Sequence, residues 1–211
     1  MDYKVLMDAV IKGDISTAKE ETRNTVEGGT SAQEILDQGL IAAMDVVGED
    51  FSKGLIFVPQ MLRSAKTMQE CVELLKPHFQ EQGVTTKGKV VLGTIKGDLH
   101  DIGKNLVGMM LEGAGFSLID LGVDVAPEAF VEKVKEVNAE IVGMSALLST
   151  TMPAMSLTIK ALVDSGMRDK VKVMIGGAPV TGKYAQEIGA DAYAPDAGSA
   201  VIEAKKIVKI A

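Results

Sequence analysis

Hydrophobic and polar positions along the chain follow two different periods, and the change falls near residue 85. In the first part, apolar residues recur every three to four positions, the spacing that lines one face of a helix. From Ser31, SAQEILDQGLIAAMDVVGEDF opens on a Ser-x-x-Glu capping box and sets Leu36, Leu40, Met44, Val47 and Phe51 on one face, which predicts an amphipathic helix. After the Ser52-Lys53-Gly54 break, Pro59 suits a first helical turn. Leu62, Ala65, Met68, Val72, Leu75 and Phe79 form the next stripe, with Pro77 placed to kink or end it. Upstream, YKVLMDAVIKG and DISTAKEETRNTVEGG read as two shorter helices, each closed by glycine. Together these predict a four-helix bundle over residues 1–85.

Beyond a linker at 81–88, which contains Gly83 and Gly88, short β-rich runs alternate with helical stretches. Residues 89–95, 116–122, 141–147, 171–177 and 191–195 are the expected strands. Helices are expected between and after them, at 102–114, 127–138, 152–166, 181–188 and 197–209. Continuous apolar strands alternating with helices predict a flavodoxin-like (Rossmann-like), doubly wound parallel sheet of five strands over residues 86–211. In such a sheet, ligands bind beyond the carboxyl ends of the strands, where the strand order reverses. The loop after the first strand, GTIKGDLHDIGKN, borders that crevice and carries His100, one of two histidines in the chain.

Composition narrows the function classes. With 46% hydrophobic and 24% charged residues the chain is globular, and its net charge of −7 is spread without a basic cluster that could neutralise a row of phosphates. No nucleic-acid partner is expected. The N-terminus lacks the basic start and apolar core of a signal peptide, and no apolar run approaches a membrane span, so a cytoplasmic protein with no membrane partner is expected. One cysteine and two histidines cannot build an ordinary structural zinc site. Cys71, at helical spacing with Met68, Val72 and Leu75, reads as a small core residue, His78 beside Pro77 as solvated surface, and the twelve methionines as packing.

The His100 loop fits neither familiar phosphate cradle. Its glycines stand at 93, 97 and 103 rather than in Gly-x-Gly-x-x-Gly, and Gly103-Lys104 is followed by Asn105 rather than by serine or threonine. A phosphoryl receiver would suit the fold, with Asp98 and Asp101 as the nearest approach to its acidic cluster, but it gives His100 no task. Asp98-x-His100 can instead be a metal ligand with its orienting carboxylate. It can equally be an exposed turn in which either aspartate caps the next helix. By itself the pair leaves both readings open.

Wider spacing adds to the picture. Asp98-x-His100-x-x-Gly103 is followed after 41 residues by Ser145-x-Leu147, and after 28 more by Gly176-Gly177. This order and spacing resembles the signature of base-off, His-on cobalamin-binding domains. GDLHDIGKN, VNAEIVGMSALLSTTM and IGGAPV are similar to the cobalamin domain of methionine synthase. In overall plan the chain is similar to the stand-alone corrinoid proteins of bacterial and archaeal methyltransferase systems, and VVGEDFSKGLIFVPQMLRSA resembles their helical cap.

The resemblance implies roles for particular residues. His100 would ligate cobalt from the lower face in place of dimethylbenzimidazole, with Asp98 accepting its other N–H. Thr151 stands where methionine synthase has the serine that completes this relay; its alternative is a helix cap before Pro153. Ser145 and Ser149 would hydrogen-bond the displaced base or its linker, beside Leu147 of the signature. Gly176 and Gly177 would let backbone approach the nucleotide tail, and Gly103 would let the first helix pack near the corrin. Phe51 and Val58 fall on the positions that cover the upper face in the methionine synthase cap, whereas Leu55, Ile56 and Phe57 read as bundle core or hydrophobic staple.

The implied function is methyl transfer by carriage: a substrate:corrinoid methyltransferase methylates Co(I) to methyl-Co(III), and a corrinoid:folate or corrinoid:thiol methyltransferase passes the methyl on. A reductive activator protein would restore Co(I). The chain would be a carrier rather than a complete enzyme, and its cap would swing on the 81–88 linker. Two related readings are a cobalamin-dependent regulator or light sensor, which usually carries a DNA-binding module, and a mutase subunit using adenosylcobalamin. The methyl donor, whether methanol, a methylamine, a quaternary amine or an aryl methyl ether, belongs to the partner's chemistry.

Overall fold

The computed structural model describes residues 3–82 and 86–209. Gly83, within the expected linker, lies outside the described residues. The chain divides into two compact units, Met1–Thr86 with Glu112–Gly115, and Lys87–Leu111 with Phe116–Ala211.

The helical unit holds α1 (Lys4–Lys12), α2 (Ile15–Glu27), a continuous helical run α3 (32–52) and α4 (Val58–Gln82). Local chemistry sets their ends. Gly13 adopts the left-handed conformation that closes α1, and Asp14 caps α2 by accepting Thr17 N–H at 3.1 Å. The expected capping box forms by half: Ser31 Oγ accepts Glu34 N–H at 3.2 Å, while the Glu34 carboxylate turns to the Tyr3 hydroxyl, 2.9 Å away. Pro77 sits inside α4, which continues to Gln82.

The α3 stripe departs from the expected one because its Ile35–Ile41 segment is π-helical. The wider turn rotates Ile35 fully into the core and leaves Leu36 half-buried, while Leu40, Met44 and Val47 are buried as expected. In α4 the core face is Met61, Ala65, Met68, Cys71 and Leu75, with Leu62 and Val72 half-buried. Cys71 is the small core residue its spacing predicted. His78 is half-buried rather than fully solvated. Leu55 and Phe57 are not core residues at all, being 66% and 69% exposed in the turn before α4.

The second unit is a sheet of β1 (Lys89–Thr94), β2 (Ser117–Asp120), β3 (Ile141–Ser145), β4 (Lys172–Gly176) and β5 (Ala192–Ala194). Around it run α5 (Ile102–Gly113), α6 (Pro127–Val137), α7 (Pro153–Asp164), α8 (Gly182–Ile188) and α9 (Ala197–Lys209). All strand pairs are parallel, in the order β2-β1-β3-β4-β5, the flavodoxin-like order expected from the sequence. Val90, Val91 and Leu92 of β1 are buried because helices cover the sheet, which is why the strands read as unbroken apolar runs. Phe130 and Val134 of α6 and Met155 and Leu162 of α7 pack with Val91, Val142 and Val173 in one cluster. Truncating a ring such as that of Phe130 costs about 3–5 kcal/mol, so this layer fixes the sheet on which the loops stand.

The chain leaves β1 for β2 on one side and returns to β3 on the other, so the order reverses at β1. The loops after β1 and β3 therefore meet at the carboxyl edge.

Candidate functional site

The loop after β1 is shaped by backbone before any side chain acts. Asp98 N–H closes a turn on Ile95 O at 3.1 Å, and Gly97 between them takes a φ of +85° that a side chain would resist. The fully buried Thr94 hydroxyl donates to His100 O at 3.0 Å, tying the far end of the loop back to β1.

Asp98 is fully buried, and every donor around it points at its carboxylate. Oδ1 faces His100 Nδ1 at 2.7 Å and accepts the His100 backbone N–H at 3.1 Å. Oδ2 accepts Leu147 N–H at 2.8 Å, Leu148 N–H at 3.1 Å and the Thr151 hydroxyl at 2.8 Å. Burial alone would push this carboxyl up, but the bonds from the His100 ring, Leu147 N–H, His100 N–H and Thr151 outweigh it and hold it well below the usual carboxylate range. An ionised carboxylate can only accept, so Nδ1 is the donor of the pair. The lone pair of a neutral His100 ring then lies on Nε2, which has no partner among the described residues.

The His100 side chain is half-exposed, and large apolar side chains are exposed near it in the chain. Leu99 and Ile102 are 71% and 85% exposed, and Val123, Leu147 and Leu148 are exposed in loops at the same edge of the sheet. Among the described residues no cluster of His, Cys, Asp or Glu could bind a metal by itself. A single directed imidazole can supply one ligand to a metal that is otherwise held by another group.

The other expected residues occupy defined places. Ser145 ends β3 half-buried, paired in register with Thr94 on one side and Gly176 on the other. Its hydroxyl has no partner among the described residues, and Ser149 is exposed in the following loop. Gly103 lies in the first turn of α5, where an added Cβ would meet nothing within 4 Å. Gly176 and Gly177 are crowded by the chain's own backbone: a Cβ would fall 2.7 Å from Ala194 O and 1.8 Å from Ala146 O respectively. In the helical unit, Phe51 is half-buried in the last turn of α3 and Val58 is exposed at the start of α4. Asp101 does not cap α5 with its carboxylate on a backbone N–H; its Oδ2 takes Asn105 Nδ2 at 3.1 Å.

Sequence reasoning overlooked several residues. The N–H groups of Leu147 and Leu148 bind Asp98 through backbone, which carries no signature in the residue names. Lys104 is buried and paired with Asp120 at the end of β2, with Asn105 Oδ1 2.7 Å from its Nζ. Asp124, in the loop after β2, donates its N–H to Asp98 O at 3.0 Å.

Two family models, both described as a B12 binding domain, match residues 88–203 and 3–76. Dimethylamine corrinoid protein 1 of Methanosarcina acetivorans is 42% identical over 212 residues, covering 99% of this chain and 100% of that one. Among solved structures, a cobalamin-binding protein from Desulfitobacterium hafniense DCB-2 matches with a TM-score of 0.82 and 35% identity, over 98% of both chains. The methanol:cobalamin methyltransferase complex MtaBC from Methanosarcina barkeri matches with a TM-score of 0.86 and 30% identity, over 98% of this chain and 79% of that one. Among the described residues, no helix is long and apolar enough to cross a membrane.

Proposed function

Since the chain belongs to the B12-binding corrinoid proteins, we propose that it is a methyl carrier, working between methyltransferases rather than as a complete enzyme. The observation that carries this reading is the His100 ring, held through Nδ1 by a buried carboxylate while its Nε2 has no partner among the described residues. When bound, a corrinoid supplies a cobalt centre that takes up a methyl group and hands it on.

In this reading His100 Nε2 would hold the cobalt, the base-off, His-on mode of binding. Asp98 fixes the ring's tautomer and raises its donor strength, and Thr151 supports Asp98 as third member of the relay. Ser145, through its unpartnered hydroxyl, and Ser149 would receive the displaced base or its linker, next to Leu147. Gly103 leaves open space at the start of α5 for the ring to lie close. Gly176 and Gly177 form the floor of the tail site by letting β4 run tight against Ala146 and Ala194. We assign residues 1–85 as the cap and 86–211 as the cofactor domain, with Phe51 and Val58 as the cap residues proposed to shield the cofactor.

The partners proposed are a substrate:corrinoid methyltransferase, a second methyltransferase that delivers to a folate or a thiol, and a reductive activator protein. The similarity to a dimethylamine corrinoid protein makes a methylamine the first donor to assay, with methanol second.

Reconstituting the purified chain with cobalamin tests the reading. A base-off, His-on absorption spectrum that is lost in His100→Ala is the expected result. A base-on spectrum in the wild type, or no change in His100→Ala, would overturn it.

A further inference from the structure

Among the described residues, two besides glycine have positive φ, Asn138 and Asp124. Asn138 is the left-handed residue that ends α6, an ordinary helix stop. Asp124, at φ 54°, has no helix to end: it follows β2, and the residue that caps the start of α6 is Ala126. A non-glycine residue holds this conformation against a steric cost only when its surroundings fix it there.

All that fixes Asp124 belongs to the loop leading to His100. Its N–H donates to Asp98 O at 3.0 Å, its Oδ1 accepts Gly97 N–H at 2.8 Å, and its Oδ2 faces Lys96 Nζ at 3.1 Å. The next residue extends the grip, since Val125 N–H donates to Thr94 O at 3.0 Å and Val125 bridges Ile95. Asp98 is thus held twice, its carboxylate by the loop after β3 and its backbone by the loop after β2. Its carboxylate in turn is the one hydrogen-bond partner of the His100 ring among the described residues. The direction of Nε2 therefore depends on both anchors.

We infer that Asp124 is a positioning residue, whose strained backbone and side chain clamp the Gly97–His100 loop so that the imidazole is held in place for ligation. The inference rests on the functional reading above and adds to it a residue outside the Asp98-His100-Thr151 relay. The Lys96 pair is solvent-exposed and contributes little; the bond to Gly97 N–H and the backbone bond to Asp98 carry the clamp.

Three variants separate these contributions. Asp124→Gly relieves the strained φ and removes the side chain, Asp124→Ala removes the side chain and keeps the strain, and Asp124→Asn keeps an Oδ1 acceptor and tolerance of positive φ while losing the charge. Each is loaded with cob(II)alamin, and the ratio of His-on to His-off cofactor is read from the splitting that an axial nitrogen gives in the electron paramagnetic resonance spectrum. Total corrinoid bound and the thermal midpoint are measured alongside. We expect the ratio to fall by about tenfold in Asp124→Gly and Asp124→Ala, with total binding reduced much less, and to stay near wild type in Asp124→Asn. Equal ratios in wild type and Asp124→Gly overturn the inference, as does Asp124→Asn falling as far as Asp124→Gly, which would place the effect on the charge facing Lys96. If the wild type has no His-on population, or keeps it in His100→Ala, the functional reading fails and takes this inference with it.

Discussion

The carboxylate of Asp98 accepts the N–H of Leu147 at 2.8 Å across a separation of 49 residues in the chain. With Leu148 N–H and the Thr151 hydroxyl on the same oxygen, it pins the loop after β3 to the loop after β1. Asp98→Asn would turn an amide toward these donors: whichever way it flips, either the His100 ring or the Leu147 and Leu148 N–H groups face an NH2. A buried donor left unpaired costs about 1–3 kcal/mol, so thermal unfolding of Asp98→Asn is expected at a clearly lower midpoint, with the His-on spectrum lost as well.

Asp98 also contributes to the acid limb of stability. Its folded carboxyl lies below the unfolded value of 3.8, so its contribution is fully present above that pH and is lost as pH falls below it toward the folded value. A plot of unfolding free energy against pH should be less steep below about pH 4 in Asp98→Asn than in wild type, and parallel to it near neutrality.

Thr151 has a hydroxyl within 2.8 Å of both Asp98 Oδ2 and Leu148 O. Thr151→Ser keeps that reach and is expected to retain stability and corrinoid spectrum. Thr151→Val keeps the shape and removes a bond to a charged acceptor, costing about 1.5–3 kcal/mol in denaturant unfolding.

The glycines divide by what surrounds them. Gly177→Ala would force a methyl against Ala146 O, 1.8 Å away, from a φ of +130°; the variant is expected to lose more than about 4 kcal/mol or to fail to accumulate as folded protein. Gly103→Ala meets nothing, and in a helix it should raise the stability of the cofactor-free chain by about 0.5–1 kcal/mol. If α5 packs against the corrin as proposed, the same variant binds cobalamin more weakly, which equilibrium titration would read directly.

Tyr3 anchors the start of α1 to α3 through its hydroxyl on Glu34 Oε1, 2.9 Å away. Burial, then the hydrogen bond and charge of Glu34, push its phenol up to about 12. The neutral phenol is favoured in the fold, so its contribution is present below pH 10 and lost as pH rises toward 12. In an ultraviolet titration, Tyr3→Phe should remove the phenolate signal that wild type shows only near that upper value.

Much of the fold is legible in the sequence because two periods dominate it. Unbroken apolar runs such as Lys89–Thr94 mark buried parallel strands, and the helix boundaries follow Ser31, Asp14 and Gly13. What escaped lies below the level of residue type. The π-helical turn that exchanges Leu36 for Ile35 depends on packing around one widened turn, and a regular 3.6-residue spacing does not register it. Leu55 and Phe57 read as bundle core or hydrophobic staple because their apolar character is visible while their turn's exposure is not. At the site, Asp98 and His100 stand out by residue type and spacing, and Thr151 is reached only through the resemblance to methionine synthase. The N–H groups of Leu147 and Leu148 and the positive φ of Asp124 could not, because backbone donors and dihedrals are the same for any side chain.

The exposed apolar side chains beside His100 in the chain bear on how the protein behaves in bulk. Leu99 and Ile102 stand in water on a protein of net charge −7, and a patch of this kind is normally covered in a soluble monomer. If the corrinoid covers this edge as proposed, the cofactor-free chain is expected to be the stickier form, self-associating as its concentration rises, and loading doubles as a solubilising step. Turbidity at high protein concentration, with and without added cobalamin, gauges how much of the chain's dispersion in solution depends on being charged with its ligand.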